Sequence, residues 1–287
     1  MTSLNEQEHQ LLLEEFDRQV TRKLKRYTLK GHPRQFAFLV EDPRCSLQGS
    51  ALKLDFVLVY LKQNLSQCML GFVYTMSQSK VSEWLCFLLP VLENSLAQLG
   101  FTAQYGDVYH HPDREEDFLA GDVCERQIPR NHCYKAQQKE YSGKHKKHTL
   151  KHFALCNPQS RIHFLSRSYV GCIHDKTIWD ELTINVQGNR LFLDLGFLGA
   201  DHQMDNVILP FKRPQKGELN TVQKQLNKAI SSVRVVIEHA FAGVKRLRTV
   251  ADKIRIRGTD KRERVFRIAV ALHNLRVDHR RPIQNCS

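Results

Sequence analysis

The spacing of apolar residues changes character twice along the chain. Through the first hundred residues it is helical. Residues 5–30 read as one or two helices, and 31–49, with Pro33, Pro43 and Gly49, as loop. Leu52, Phe56, Val57, Val59, Tyr60 and Leu61 then recur at helical spacing, a short helical segment follows over 66–74, and a third helix is predicted over 78–96. Its apolar stripe is Val81, Leu85, Leu88, Leu89 and Leu92, Ser77 is a good N-cap, and Pro90 predicts a kink or break. From 101 to 195 the rhythm is that of strands. Residues 118–128 form a candidate strand carrying Asp122, and 147–156 and 161–169 alternate about Asn157-Pro158-Gln159-Ser160, a hairpin pattern. His174-Asp175-Lys176 opens a short helix through Leu182, and 190–194 is a short apolar strand closed by Asp194. Beyond a Pro-, Lys- and Arg-rich loop at 205–217 the helical period returns. A long helix over 220–248 has the stripe Leu226, Ile230, Val233, Ile237 and Phe241, and a last helix over 262–276 turns Val265, Ile268, Ala269, Leu272 and Leu275 inward.

Composition narrows the class. With 41% hydrophobic and 25% charged residues over 287 positions, the chain has the makings of a packed core and is no disordered polymer. The longest apolar stretch, 84–92, is too short to span a bilayer, and the N-terminal MTSLNEQEHQ lacks a signal-peptide pattern, so no membrane partner and a cytoplasmic location are expected. Eight cysteines without a CxxC pair suggest reduced thiols. The net charge of +13 points to a polyanion. It is unevenly placed: residues 1–100 and 101–200 each carry +1, and 201–287 carry +11, densest over 245–267. Such a band would neutralise phosphates and make binding salt-dependent; a solvated basic face is the plain alternative.

Two helices joined by a short turn, the second opening with Ser77, Gln78, Ser79 and Lys80, fit a helix-turn-helix, although a three-helix packing unit has nearly the same pattern. His145, His148 and His152 invite a zinc reading, but no spacing supplies a fourth ligand; the basic loop with Lys144, Lys146 and Lys147 better suits phosphates. Cys124 and Cys133 read as packing residues. There is no GxSxG, Walker or GxGxxG motif. What remains is a set of carboxylates at element ends: Asp122 in a strand, Asp194 closing another, and Glu238 on the long helix. Converging carboxylates repel unless hard divalent cations compensate them, and Mg²⁺ or Mn²⁺ would bridge them to phosphates. Singly, each has a mundane reading: a loop cap, a turn-former before glycine, and an i,i+4 partner of Arg234.

Taken together, GDVCERQI (121–128), YSGKHKKHTLKH (141–152), GCIHDK (171–176), LFLDLGFLG (191–199), PFKRP (210–214) and QKQLNKAISSVRVVIEHAFAGVKRLR (223–248) resemble the DDE transposases of bacterial insertion sequences, in the Harbinger-related group. The resemblance implies an α/β fold, a ribonuclease H-like domain with a mixed sheet flanked by helices, preceded by a small all-α helix-turn-helix domain. The expected layout is a helical or irregular arm (1–49), a helix-turn-helix domain (50–100), a ribonuclease H-like endonuclease domain (115–277) and a tail (278–287). Asp122, Asp194 and Glu238 map to the catalytic, metal-binding triad, with two Mg²⁺ (or Mn²⁺) ions and with His174 and Asp175 auxiliary. Ser77, Gln78, Ser79, Lys80, Lys144, Lys146, Lys147, Arg234, Lys245 and Arg246 are the candidate DNA contacts. The implied activity is binding of terminal inverted repeats, metal-dependent cleavage and strand transfer on double-stranded DNA by a homodimer or higher oligomer in the bacterial nucleoid. A catalytically inactive, transposase-derived DNA-binding protein is the alternative, and a nuclease without strand transfer a third reading. The chain departs from the pattern at Cys124, where relatives usually carry Thr, and at Leu195-Gly196-Phe197, where Gly-Tyr usually follows the second aspartate.

Overall fold

The computed structural model describes residues 2–36, 45–112, 116–256 and 258–280. The expected loop residues 37–44, Arg257 of the basic run and the tail residues 281–287 lie outside them. In chain order the elements are α1 (Glu6–Arg26), α2 (Gly49–Gln63), α3 (Gln67–Val73), α4 (Gln78–Gln98), β1 (Gln104–Gly106), β2 (Val108–His110), β3 (Leu119–Gln127), α5 (Tyr134–Glu140), β4 (Tyr141–Ser142), β5 (Lys147–Cys156), β6 (Ile162–Ser166), β7 (Tyr169–Val170), α6 (Asp175–Glu181), β8 (Thr183–Asn185), β9 (Leu191–Phe192), β10 (Val207–Ile208), α7 (Thr221–Val244), α8 (Arg248–Ala251) and α9 (Thr259–Arg280). They divide into two compact units: Met1–Thr102 with Lys245–Asp252 and Ile256–Arg280, and Ala103–Val244 with Lys253–Arg255.

The first unit is all helix. α1 is held by a reciprocal capping box between Asn5 and Glu8 and packs on α2 and α4. It is thus a structural helix of the unit rather than an arm. α4 runs as one helix through Pro90, where a kink or break is expected; its packing against α1 and α9 compensates the backbone bond that proline removes. α9 is buried on most of its circumference: the five expected inward residues are buried, and so are Phe266, Val270, Ala271, Asn274 and Arg276. The expected domain boundary at 277 therefore differs from the structure, where α9 extends to Arg280 and belongs with the N-terminal helices. Its charge is partly consumed inside that unit. Arg264 and Arg267 reach Glu93 at 2.9 and 2.6 Å, and Arg280 reaches the fully buried Glu8 at 2.6 Å.

The second unit is a mixed sheet with helices packed on it, compatible with a ribonuclease H-like arrangement. Strand order is β1-β6-β5-β3-β9-β10, with β4 and β7 also paired to β5; β2 and β8 form a separate two-stranded ladder. β3, β5 and β6 are antiparallel neighbours, joined between β5 and β6 by the expected hairpin, whereas β3, β9 and β10 run parallel. Phe153, Phe164, Trp179, Leu191, Leu193 and Phe197 fill the core on one face. α7 crosses β3, β5 and β9. From Ile230 onward it buries Ile230, Ile237, Phe241 and Val244, but Leu226, expected in the stripe, is 45% exposed. The long helix ends at Val244 rather than at 248. Among the described residues no helix is long and apolar enough to cross a membrane, and no disulfide forms.

Candidate functional site

Parallel pairing of β3 with β9 sets Leu119 opposite Leu191 and Ala120 opposite Phe192. Continued by two residues, the same register brings Asp122 and Asp194 side by side. Gly121 makes room beneath them: a Cβ there would lie 2.7 Å from Leu193, 2.8 Å from Phe153 and 2.9 Å from Leu155. Asp122 Oδ1 accepts the Val123 N–H at 2.7 Å, and Asp194, capping the short turn over Leu195–Phe197, accepts the Leu195 N–H at 2.7 Å. Their other contact is a cation. Arg234 of α7 places Nη2 3.6 Å from Asp122 Oδ2 and Nη1 3.4 Å from Asp194 Oδ1. Burial, reinforced by the charges of Asp194 and Asp175, raises the Asp122 carboxyl to about 6, against the lowering pull of the Val123 N–H and Arg234.

Asp175 opens α6 and lies against the turn after Asp194, its Oδ2 3.3 Å from where a Gly196 Cβ would stand. It is held by Lys151, a residue the sequence reading did not single out. Lys151 Nζ donates to Asp175 Oδ1 at 2.9 Å and to the Ile173 carbonyl at 2.8 Å, and lies 3.5 Å from Glu125 Oε1. Glu125, directly across the ladder from Lys151, also accepts from Thr149 Oγ1 at 2.9 Å. His174 is exposed and caps α6 through the Lys176 N–H.

The remaining site residues fall as follows. Glu238 lies on α7 one turn after Arg234, exposed, and makes no ion pair among the described residues. The structure thus brings together two of the three expected carboxylates, with Arg234 between them; among the described residues no three Asp, Glu, His or Cys side chains are gathered to hold a metal ion. Arg234 departs from its expected place on a DNA backbone: its side chain is only 10% exposed. The physical reason is electrostatic, since two adjoining carboxylates draw in the nearest cation that α7 offers. The donor set itself fits a hard divalent cation, because Asp122 and Asp194 present paired oxygen donors whose mutual repulsion such a charge would relieve. Lys144 and Lys146 are exposed on the turn leading into β5 and Lys147 at its first position, while His152 is buried within that strand.

In the helical unit, Ser66 caps α3 and Ser77 caps α4, and the turn between these helices is tight. A Cβ on Gly71 would lie 2.5 Å from the Met76 carbonyl oxygen, and Thr75 is at φ +52°. Ser77, Gln78, Ser79 and Lys80 are exposed at the start of α4, and Lys245 and Arg246 are exposed as well.

Comparison with known proteins bears on this arrangement. No solved structure matches the chain. The chain is similar to the probable transposase for insertion sequence element IS702 of Microchaete diplosiphon, at 30% identity over 149 residues, 50% of this chain and 51% of that protein. It thus spans about half the length of that curated relative. The family described as DDE superfamily endonuclease matches residues 122–274, which begin at Asp122 and take in Asp194, Arg234 and Glu238. With more than half of its length inside that match, the chain belongs to the DDE superfamily endonuclease family.

Proposed function

We propose that this protein is a transposase that binds the terminal inverted repeats of its own element, cleaves DNA there and joins the freed ends to a target. The observation that carries the reading is the nearness of Asp122 and Asp194, each two residues beyond the last β3–β9 register pair and both facing Arg234 of the helix that bears Glu238. Asp122, Asp194 and Glu238 would hold Mg²⁺ or Mn²⁺, two ions in the expected arrangement; such ions, when bound, activate an attacking oxygen and stabilise the leaving one. The chain's own residues do the rest. Lys151 keeps Asp175 beside the turn that carries Asp194, so the carboxylates have a fixed backing. Lys144, Lys146 and Lys147 offer exposed positive charge to phosphates, which positions a duplex without reading its bases. Ser77, Gln78, Ser79 and Lys80 open α4 as the recognition segment of a helix-turn-helix, with Lys245 and Arg246 as further backbone contacts. Action on two element ends calls for a homodimer or larger assembly, in the cytoplasm on nucleoid DNA.

The test is Mg²⁺-dependent nicking and joining of a duplex that contains an element end. Asp194→Asn should lose cleavage and keep binding. Cleavage by that variant at the wild-type rate would refute the assignment of Asp194. Binding without cleavage by the unmodified chain would favour the inactive DNA-binding protein, and cleavage without sequence preference or joined product would favour a plain nuclease.

A further inference from the structure

Arg234 is buried and its charge is spoken for. Its two terminal nitrogens face Asp194 at 3.4 Å and Asp122 at 3.6 Å, and its Nε is buried with no hydrogen-bond partner among the described residues. These separations are longer than those of a two-pronged arginine–carboxylate bond, so the guanidinium is held by charge more than by directed hydrogen bonds. A buried cation with an unsatisfied donor is costly unless its partners need it. Here they do, because Asp122 and Asp194 would otherwise face each other uncompensated. The nearby Lys151 is committed to Asp175, Glu125 and the Ile173 carbonyl.

We propose that Arg234 is a positioning residue that holds Asp122 and Asp194 together and competes with divalent cations for them. Cation binding then requires the guanidinium to leave the pair. Two carboxylates and one guanidinium sum to a single negative charge. A divalent ion added to that set meets repulsion from Arg234 at the distances where its own ligands must close. Release of Arg234 removes the repulsion and frees the unsatisfied Nε to find a partner. The loose geometry makes that exchange feasible. The inference rests on the reading of Asp122 and Asp194 as cation ligands.

Titration of the full chain with Mn²⁺, followed by calorimetry and by the free-ion Mn²⁺ EPR signal, tests it without any cleavage assay. Arg234→Gln, which keeps polarity and drops charge, should bind Mn²⁺ about tenfold more tightly than the unmodified chain, the effect of roughly 1.4 kcal/mol. Arg234→Lys, whose ammonium can reach one carboxylate at a time, should fall between the two. Unchanged or weaker Mn²⁺ binding in Arg234→Gln overturns the proposal, including the case in which that variant is merely less stable or binds duplex DNA less well. If Arg234→Gln does not fold, unchanged or weaker Mn²⁺ binding in Arg234→Lys overturns it. Asp194→Asn separates the two levels of the argument. Loss of Mn²⁺ binding there, with no gain in Arg234→Gln, sinks the competition alone; Mn²⁺ binding in Asp194→Asn equal to that of the unmodified chain, or no Mn²⁺ binding by either the unmodified chain or Arg234→Gln, sinks the ligand assignment and the competition together.

Discussion

Replacing Asp122 by asparagine removes a half-buried carboxylate from beside two others while keeping an oxygen to accept the Val123 N–H. The Asp122 carboxyl sits at about 6, against an ordinary 3.8. A folded value above the unfolded one means that the native state takes up this proton first. The ionised carboxylate therefore costs stability in full above pH 6, the cost shrinks as pH falls through 6 towards 4, and it is gone below the unfolded value. At pH 8 the gap corresponds to roughly 3 kcal/mol, and at pH 5 to about half of that. With chelator present, Asp122→Asn should accordingly be more stable than the parent at pH 8, and its advantage should halve by pH 5. The chain has two tryptophans, Trp84 in the helical unit and Trp179 in the core of the sheet unit. Urea unfolding followed by Trp179 fluorescence in a Trp84→Phe background therefore reads the sheet unit alone, and the difference between variant and parent cancels the other groups that titrate in this window. An advantage that does not change between pH 8 and pH 5, or a variant less stable than its parent at pH 8, would refute the reasoning.

Two further outcomes follow from the same structure. Lys151→Met removes the cation that Asp175 and Glu125 share at 2.9 and 3.5 Å, leaving buried charge uncompensated, so the Trp179 transition should lose about 3–5 kcal/mol; a loss under 1 kcal/mol would show that these carboxylates do not need it. Gly71→Ala drives a Cβ to 2.5 Å from a backbone oxygen that cannot swing aside, so α3 and α4 must part, and both the melting temperature and the binding of an element-end duplex, measured by fluorescence anisotropy, should fall; unchanged binding would detach the turn from recognition.

What could be read in the sequence was what a single face makes periodic. α4 and the C-terminal half of α7 bury one side, and their apolar stripes announced them. β5 and β6 were legible from the Asn157-Pro158-Gln159-Ser160 turn between them, where Asn157 and Arg161 close the hairpin, although β5 is buried on both faces from Thr149 on. β1, β2 and β8 are three residues each, too short for alternation to register, and they went unread. The stripe of α9 is legible, but its place is not: nothing local says that it belongs with helices two hundred residues earlier, or that Phe266, Val270, Ala271 and Asn274 are buried beside the stripe. Lys151 hid for a related reason. Within a string of lysines and histidines it looks like one more surface charge, and only the pairing of β3 with β5 sets it opposite Glu125.

The two acidic strand positions and the helix above them show the same dependence on register most sharply. Spacing along the chain does not say that Asp122 and Asp194 are neighbours; their place two residues beyond the β3–β9 register pairs, and the one guanidinium that both face, does. Once they are neighbours, the reading of α7 changes too. The resemblance gives Arg234 and Glu238, one turn apart, separate roles at phosphate and at metal. Burial gives Arg234 to the aspartates and leaves Glu238 exposed. On the proposed reading, Glu238 would join the pair as a third carboxylate as the arginine gives it up, so the two assignments are coupled. The charge of Arg234, and not the position of Glu238 by itself, would then set the conditions under which the proposed triad forms.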